Sequence, residues 1–224
     1  MSRIKEHMEV IGADGVHVGT VDRVEENRIK LTTADSGEGR HKGHHHYIDG
    51  SLVAILRLKP GSTQLEVWLE NPAFEQPPQG APGLDGIAFG GDGNLYVNTF
   101  AKGDFFRVDV KDGLPGKITK LKPSRPLKLP DGLRSTGGQT FVMAEGGGSV
   151  DRVTINGDEV EITTIKDGIA GPTSVVPVGQ TLWVSEGQLP HLFEAAKSGP
   201  PHLPFRIIGV PMPSDVGQDN GAGK

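Results

Sequence analysis

One short pattern returns three times in the second half of this chain and constrains its fold more than any other feature. Gly83-Leu84-Asp85-Gly86-Ile87-Ala88-Phe89 aligns with Leu129-Pro130-Asp131-Gly132-Leu133, and then with Gly171-Pro172-Thr173-Ser174-Val175. The starting residues, 83, 129 and 171, lie 46 and 42 residues apart. That period is the length of one four-stranded blade of a β-propeller. After each start the same order follows. A turn leads to an alternating strand: Asn94 to Val97, Gln139 to Val142, or Gln180 to Val184. A third strand is expected at Asp104 to Val108, Ser149 to Val153 and His191 to Phe193. A fourth is expected at Lys117 to Leu121, Val160 to Ile165 and Phe205 to Val210.

Upstream, Val53 to Leu58 and Gln64 to Leu69 fit only the last two strands of an earlier unit, so the count reaches three and a half blades. A propeller is stable because its ring closes, usually with four to eight blades, and an open blade leaves an apolar flank in water. Three solutions stay open: two chains complete one ring as a homodimer, the N-terminal segment covers a face, or the chain is a truncated product.

The first fifty residues read differently. Glu9 to Ile11, Gly15 to Val21, Arg28 to Leu31 and Tyr47 to Asp49 are short β signals separated by turn residues such as Asp14-Gly15 and Glu26-Asn27. The expected architecture is all-β: a small barrel-like module over residues 1–51, a partial propeller over 52–213, and a polar, disordered tail over 214–224. The 33 Gly and 17 Pro, spread without a Gly-X-Y period, suit many short strands joined by tight turns.

The formal net charge of −5 gives no electrostatic case for nucleic acid or an anionic membrane. With no Cys, disulfides, thiolate nucleophiles and Cys-based zinc sites are excluded. Residues 1–10, with Arg3, Lys5, Glu6 and Glu9, do not form a signal peptide, and no run of eighteen apolar residues occurs. The expectation is a soluble cytoplasmic protein.

The run G-x-H-V-G-T-V-D-x-V at Gly15 to Val24, with G-x-x-K-G-H-H-H-Y-I from Gly39 to Ile48, resembles the DUF2171 family over roughly residues 3 to 54. That family is similar in style to PRC-barrel domains and has no established chemistry, so the resemblance implies a module without implying a function. No linker rich in Pro, Gly or Ser separates this segment from the repeats, which hints at a gene fusion.

In a propeller the first strand of each blade lines the central channel, so residues at its start converge on one mouth. Asp85, Asp131 and Thr173 occupy equivalent places there. Three oxygen-bearing side chains at one point suit a hard divalent cation. Asp-Gly is also an ordinary turn dipeptide, and its recurrence at the repeat period is what raises the ligand reading.

The segment from Leu52 to Pro213 resembles the C-terminal part of the SMP-30/gluconolactonase family. The resemblance is carried by Gly86 to Phe89 with Gly93 to Val97, by Pro130 to Leu133, and by Gly171 to Val175 through Leu182 to Gly187. It implies a six-bladed propeller that holds one divalent metal (Ca, Mg or Zn) at the channel and hydrolyses lactones or related esters. It also implies that Asp131, in the Pro-Asp-Gly motif, ligates the metal and acts as a base, with Asp85 standing where the family usually has Asn. The first-blade Glu ligand has no counterpart.

Thr173 and Glu186 are the substrate-binding candidates. Glu186 follows the second strand of its unit as Glu145 does one unit earlier; both could face the channel mouth, and a surface position is the favoured reading. His41, His44, His45 and His46 with His17 could hold a transition metal, but consecutive histidines on a strand alternate faces, and a solvated loop is the favoured reading. Gly146-Gly147-Gly148 reads as a hairpin turn because no Lys-Ser/Thr follows. Ser185 lacks the G-x-S-x-G elbow. Phe105, Phe106, Trp68 and Trp183 read as packing between blades.

Two functions follow: a metal-dependent lactone or ester hydrolase, or a non-catalytic binding scaffold built on propeller sheets.

Overall fold

Alternating apolar residues and turn glycines fold this chain into short antiparallel strands, with one five-residue α-helix among the described residues. The structure is a computed structural model that describes residues 6–7, 9–11, 17–25, 28–33, 47–49, 54–61, 63, 65–74, 83–193 and 198–213. Two compact units result, Met1–Ala81 and Pro82–Lys224.

In the first unit, β1 (Glu9–Ile11), β2 (His17–Glu25), β3 (Arg28–Leu31) and β4 (Tyr47–Asp49) form a four-stranded antiparallel sheet in chain order. Val21 and Leu31 face each other across β2 and β3 and are buried. Lys30 is buried beside them, and its Nζ is held by Asp22 Oδ2 at 3.0 Å. A separate hairpin joins β5 (Ala54–Leu58) to β6 (Leu65–Glu70), with Arg57 opposite Glu66. Arg57 Nε and Nη2 donate to Glu66 Oε1 at 2.8 and 2.6 Å. The expected histidine site falls mostly on 41 and 44–46, outside the described residues, as does the expected tail over 214–224.

In the second unit, β7 (Leu84–Phe89), β8 (Leu95–Thr99), β9 (Phe105–Lys111) and β10 (Leu114–Lys120) form one up-and-down sheet. A two-residue strand, β11 (Lys122–Pro123), then runs along the outer edge of the next sheet. That sheet contains β12 (Pro130–Gly137), β13 (Thr140–Glu145), β14 (Ser149–Asn156) and β15 (Glu159–Lys166). A third sheet follows, of β16 (Pro172–Val178), β17 (Thr181–Glu186) and β18 (Ile207–Pro211), with α1 (Leu189–Phe193) before β18.

The period-2 alternation of β13 explains how the sheets stack. Phe141 and Met143 point to one face and join Tyr96, Phe105, Leu121 and Leu133 in a core shared with the preceding sheet. Val142 and Ala144 point to the other face and join Val175, Leu182, Val184 and Val210 of the following sheet. A sheet with a core on both faces is the packing of successive propeller blades. Each fully buried side chain of this kind stabilises the stack by about 1.5–3 kcal/mol relative to exposure.

The third sheet departs from the expected order. His191 to Phe193 is not its third strand but lies in α1, because Pro190 is tolerated in a helix's first turn and cannot donate to a sheet ladder. The chain then carries Pro200, Pro201 and Pro204, and the first run able to pair with β17 is Ile207-Ile208. Ile207 to Val210 is therefore the third strand, not the fourth, and among the described residues this sheet has three strands. On its far side Val176, Val178 and Trp183 are exposed.

Candidate active site

The inner strands β7, β12 and β16 begin alike. Leu84, Pro130 and Pro172 pair with Thr99, Glu145 and Glu186, and in all three strands the register then shifts. A bulge of this kind re-aims the side chain that follows the last paired residue, and bulges are enriched beside active sites. The re-aimed residues are Asp85, Asp131 and Thr173.

The three starts pack backbone against backbone. A Cβ added to Gly86 would collide with the Asp131 main-chain oxygen, and one added to Gly132 would lie 3.0 Å from Ser174 Cα. Glycine at both places is what lets the strands converge. Fully buried Asn98, on β8, stitches the first two together: its Oδ1 accepts from Gly86 N–H at 2.9 Å, and its Nδ2 donates to Asp131 O at 2.9 Å.

This convergence brings the carboxyl groups of Asp85 and Asp131 close enough to share a hydrogen bond when one of them is protonated. Burial, the Asp85 charge and that hydrogen bond push Asp131 up to about 8, partly offset by the Gly132 N–H. Burial also raises Asp85, and its hydrogen bond to Asp131 opposes the rise. Two carboxyls that close cannot both ionise easily, so the pair retains a proton at neutral pH. Thr173, on the next inner strand, places its Oγ1 2.9 Å from Ser185 Oγ.

Glu186 stands elsewhere. Its carboxylate is buried, takes Arg206 Nε at 2.6 Å and Nη2 at 3.0 Å, and lines a cavity that includes neither aspartate. Glu145 has the same structural part in the preceding sheet: it accepts from Lys128 N–H at 2.7 Å and from Arg125 Nη1 at 3.0 Å. Arg125 also reaches fully buried Asp151 at 3.0 Å, which accepts in addition from Ser149 and Thr164. This Arg125–Glu145–Asp151 network was not anticipated from sequence, because its members are too far apart in the chain to form a local motif. The Gly146–Gly148 turn joins β13 to β14, and its three amides donate to Leu129, Lys128 and Glu145 carbonyls, leaving none for a phosphate.

Among the described residues no group of three or more His, Asp or Glu side chains is arranged to hold a metal ion. No helix of the described residues is long and apolar enough to cross a membrane.

Residues 4–57 match the family described as an uncharacterized protein conserved in bacteria, DUF2171. Solved structures similar to the chain include a virginiamycin B lyase from Staphylococcus aureus, at 19% identity over 80% of this chain and 62% of that one, with a TM-score of 0.45. A gluconolactonase from Xanthomonas campestris matches at 15% identity over 80% and 62% of the two chains, with a TM-score of 0.49. A luciferin-regenerating enzyme matches at 16% identity over 82% and 64%, with a TM-score of 0.48. The chain spans about three fifths of the length of the first two. No curated protein matches it.

Proposed function

We propose that the second unit is a divalent-metal-dependent hydrolase of lactones or related esters, with Asp85 and Asp131 as its reacting carboxylates. The observation that carries this reading is the close backbone approach of the inner strands at Gly86 and Asp131, tied by Asn98, which sets the Asp85 and Asp131 carboxyls beside each other. Its donor set suits a hard cation that keeps several waters, as Mg²⁺ does, because such an ion needs only one or two protein carboxylates. Bound between Asp85 and Asp131, the cation would polarise the substrate carbonyl and acidify a water.

The residues' own part is proton transfer. Asp131, as carboxylate, takes a proton from water as the water oxygen adds to the lactone carbonyl carbon. The ring C–O bond then breaks, and the proton passes to the departing alkoxide oxygen, giving a hydroxy acid. A carboxyl raised by burial is a stronger base than an ordinary aspartate, which suits it to both transfers. Thr173, at the start of the next inner strand, is the substrate-facing candidate, with its hydroxyl against Ser185, whereas the Glu186 carboxylate is engaged by Arg206.

The test is hydrolysis of a panel of sugar and aliphatic lactones, with and without added divalent metal, by wild type and Asp131→Ala. Metal-dependent turnover lost in the variant supports the reading. No turnover by folded protein with any divalent metal removes it.

A second reading, a non-catalytic binding scaffold, is favoured by the third sheet. Among the described residues it has three strands and exposes Val176, Val178 and Trp183, a surface that a second copy of the chain would cover. Metal-independent behaviour, together with indifference to substitution at Asp85 and Asp131, would support it.

A further inference from the structure

The connection between the second and third strands of each sheet is short in two cases and long in one. Residues 100–104 join β8 to β9 and 146–148 join β13 to β14, but 187–206 join β17 to β18. Blade pairing needs nothing so long, and long connections in compact domains often carry function.

This excursion is tied down at several points. Buried Gln188 holds the backbone of His202 at both its groups: Nε2 donates to His202 O at 2.7 Å, and Oε1 accepts from His202 N–H at 2.8 Å. His191 Nδ1 lies 2.9 Å from the Gly199 carbonyl, which can only accept, so that nitrogen carries the hydrogen. The two imidazoles meet edge to face at 5.7 Å, which fixes the plane of the His202 ring.

The tied excursion walls a cavity of about 620 Å³ against the Gly146–Gly148 turn, within the size range of small-molecule sites. Ile169, Pro190, Leu203 and Pro204 supply its apolar lining. The polar lining is unbalanced. Among the described residues the one carboxylate of the lining, Glu186, is already bound by Arg206 Nε and Nη2. Arg206 Nη1 and the ring nitrogens of His202 have no partner among the described residues. What the cavity offers a ligand is thus apolar surface together with a cationic hydrogen-bond donor and an imidazole.

We propose that this cavity binds a small organic carboxylate with an apolar body. Arg206 Nη1 and a His202 ring N–H take the carboxylate oxygens, while Ile169, Leu203 and the two prolines cover the hydrocarbon. The site is distinct from the aspartate pair, neither member of which lines it.

The experiment is calorimetric titration of the full chain with hexanoate and with hexanamide, its uncharged isostere. Saturable hexanoate binding is expected, with the amide weaker by about tenfold or more. Arg206→Lys and His202→Phe should each weaken hexanoate by about tenfold. Because the Arg206 variant disturbs buried Glu186, Leu203→Glu serves as a second probe: Leu203 is 74% exposed at the cavity, and a carboxylate there repels the ligand without burdening the fold. Equal affinity for acid and amide, unchanged affinity in His202→Phe and Leu203→Glu, or no saturable binding up to about 10 mM overturns the proposal. So does loss of hexanoate binding in Asp131→Asn, which would place the carboxylate at the aspartate pair instead.

Discussion

Asn98 Nδ2 donates to the main-chain oxygen of Asp131 at 2.9 Å, although 33 residues separate them in the chain. The other end of the same amide takes the Gly86 N–H, so one fully buried side chain sets the spacing of two inner strands and of the carboxyls they carry. Asn98→Ala leaves a buried amide and a buried carbonyl without partners. It should destabilise the protein by about 1–3 kcal/mol for each group left unsatisfied. Urea unfolding checks this, and any lactonase activity should fall together with stability. A variant of unchanged stability would mean that water or a shifted neighbour replaces Asn98.

The Asp85–Asp131 pair gives stability a definite pH dependence. Asp131 releases its proton near 3.8 in the unfolded chain but only at about 8 in the fold, so between these values the native state binds more protons. Stability is fully present below the lower value and falls as pH rises through the upper one. Asp85, also raised, acts in the same direction. Asp131→Asn should flatten this dependence and be more stable than wild type at pH 8, measured by urea unfolding at pH 5 and pH 8 in chelator. Parallel curves for wild type and variant would show that the pair carries no shared proton.

Two arginines hold buried glutamates at equivalent places, yet their removal should differ. Arg125, with its side chain one-third exposed, holds Glu145 and Asp151 together, and both acids are buried. Arg125→Ala strands two carboxylates and should destabilise the second unit by about 3 kcal/mol. Arg206 is 70% exposed and holds Glu186 alone. Solvent screens that pair, so Arg206→Ala should be clearly milder. Thermal unfolding of the two variants side by side decides this, and equal losses would contradict the assigned burial.

Which parts of this arrangement were legible in sequence follows from the range of the interactions. The nearness of Asp85 and Asp131 could be read because a repeat places them at equal positions, and a period survives without any knowledge of contacts. Glu186 shared that period, but its pairing with Arg206, 20 residues on, did not show. The run from His191 to Phe193 was too short for its apolar residues to separate a strand from a helical turn, and Pro190 decided the matter locally. Asn98 gave no signal: it lies in an alternating strand, and its partners come from a sheet edge and a neighbouring blade.

Gly86 offers the sharpest test of that convergence. A methyl group there would meet the Asp131 carbonyl oxygen, with Asn98 Nδ2 at 2.6 Å and Leu133 Cβ at 2.9 Å. Two of these three obstacles are backbone or the stem of a fully buried residue, so neither can swing aside. Gly86→Ala should therefore push β7 away from β12, with a loss of about 1–3 kcal/mol. Parting the strands also parts the carboxyls, which should lower the Asp131 proton affinity and weaken the pH dependence of stability. Gly157, whose added Cβ would meet nothing, is the control for a close-packing effect, although its φ of 64° adds backbone strain of its own. If Gly86→Ala unfolds at the wild-type urea midpoint and keeps the wild-type pH slope, the inner strands are not packed backbone to backbone. The carboxyl pair would then lose its structural basis.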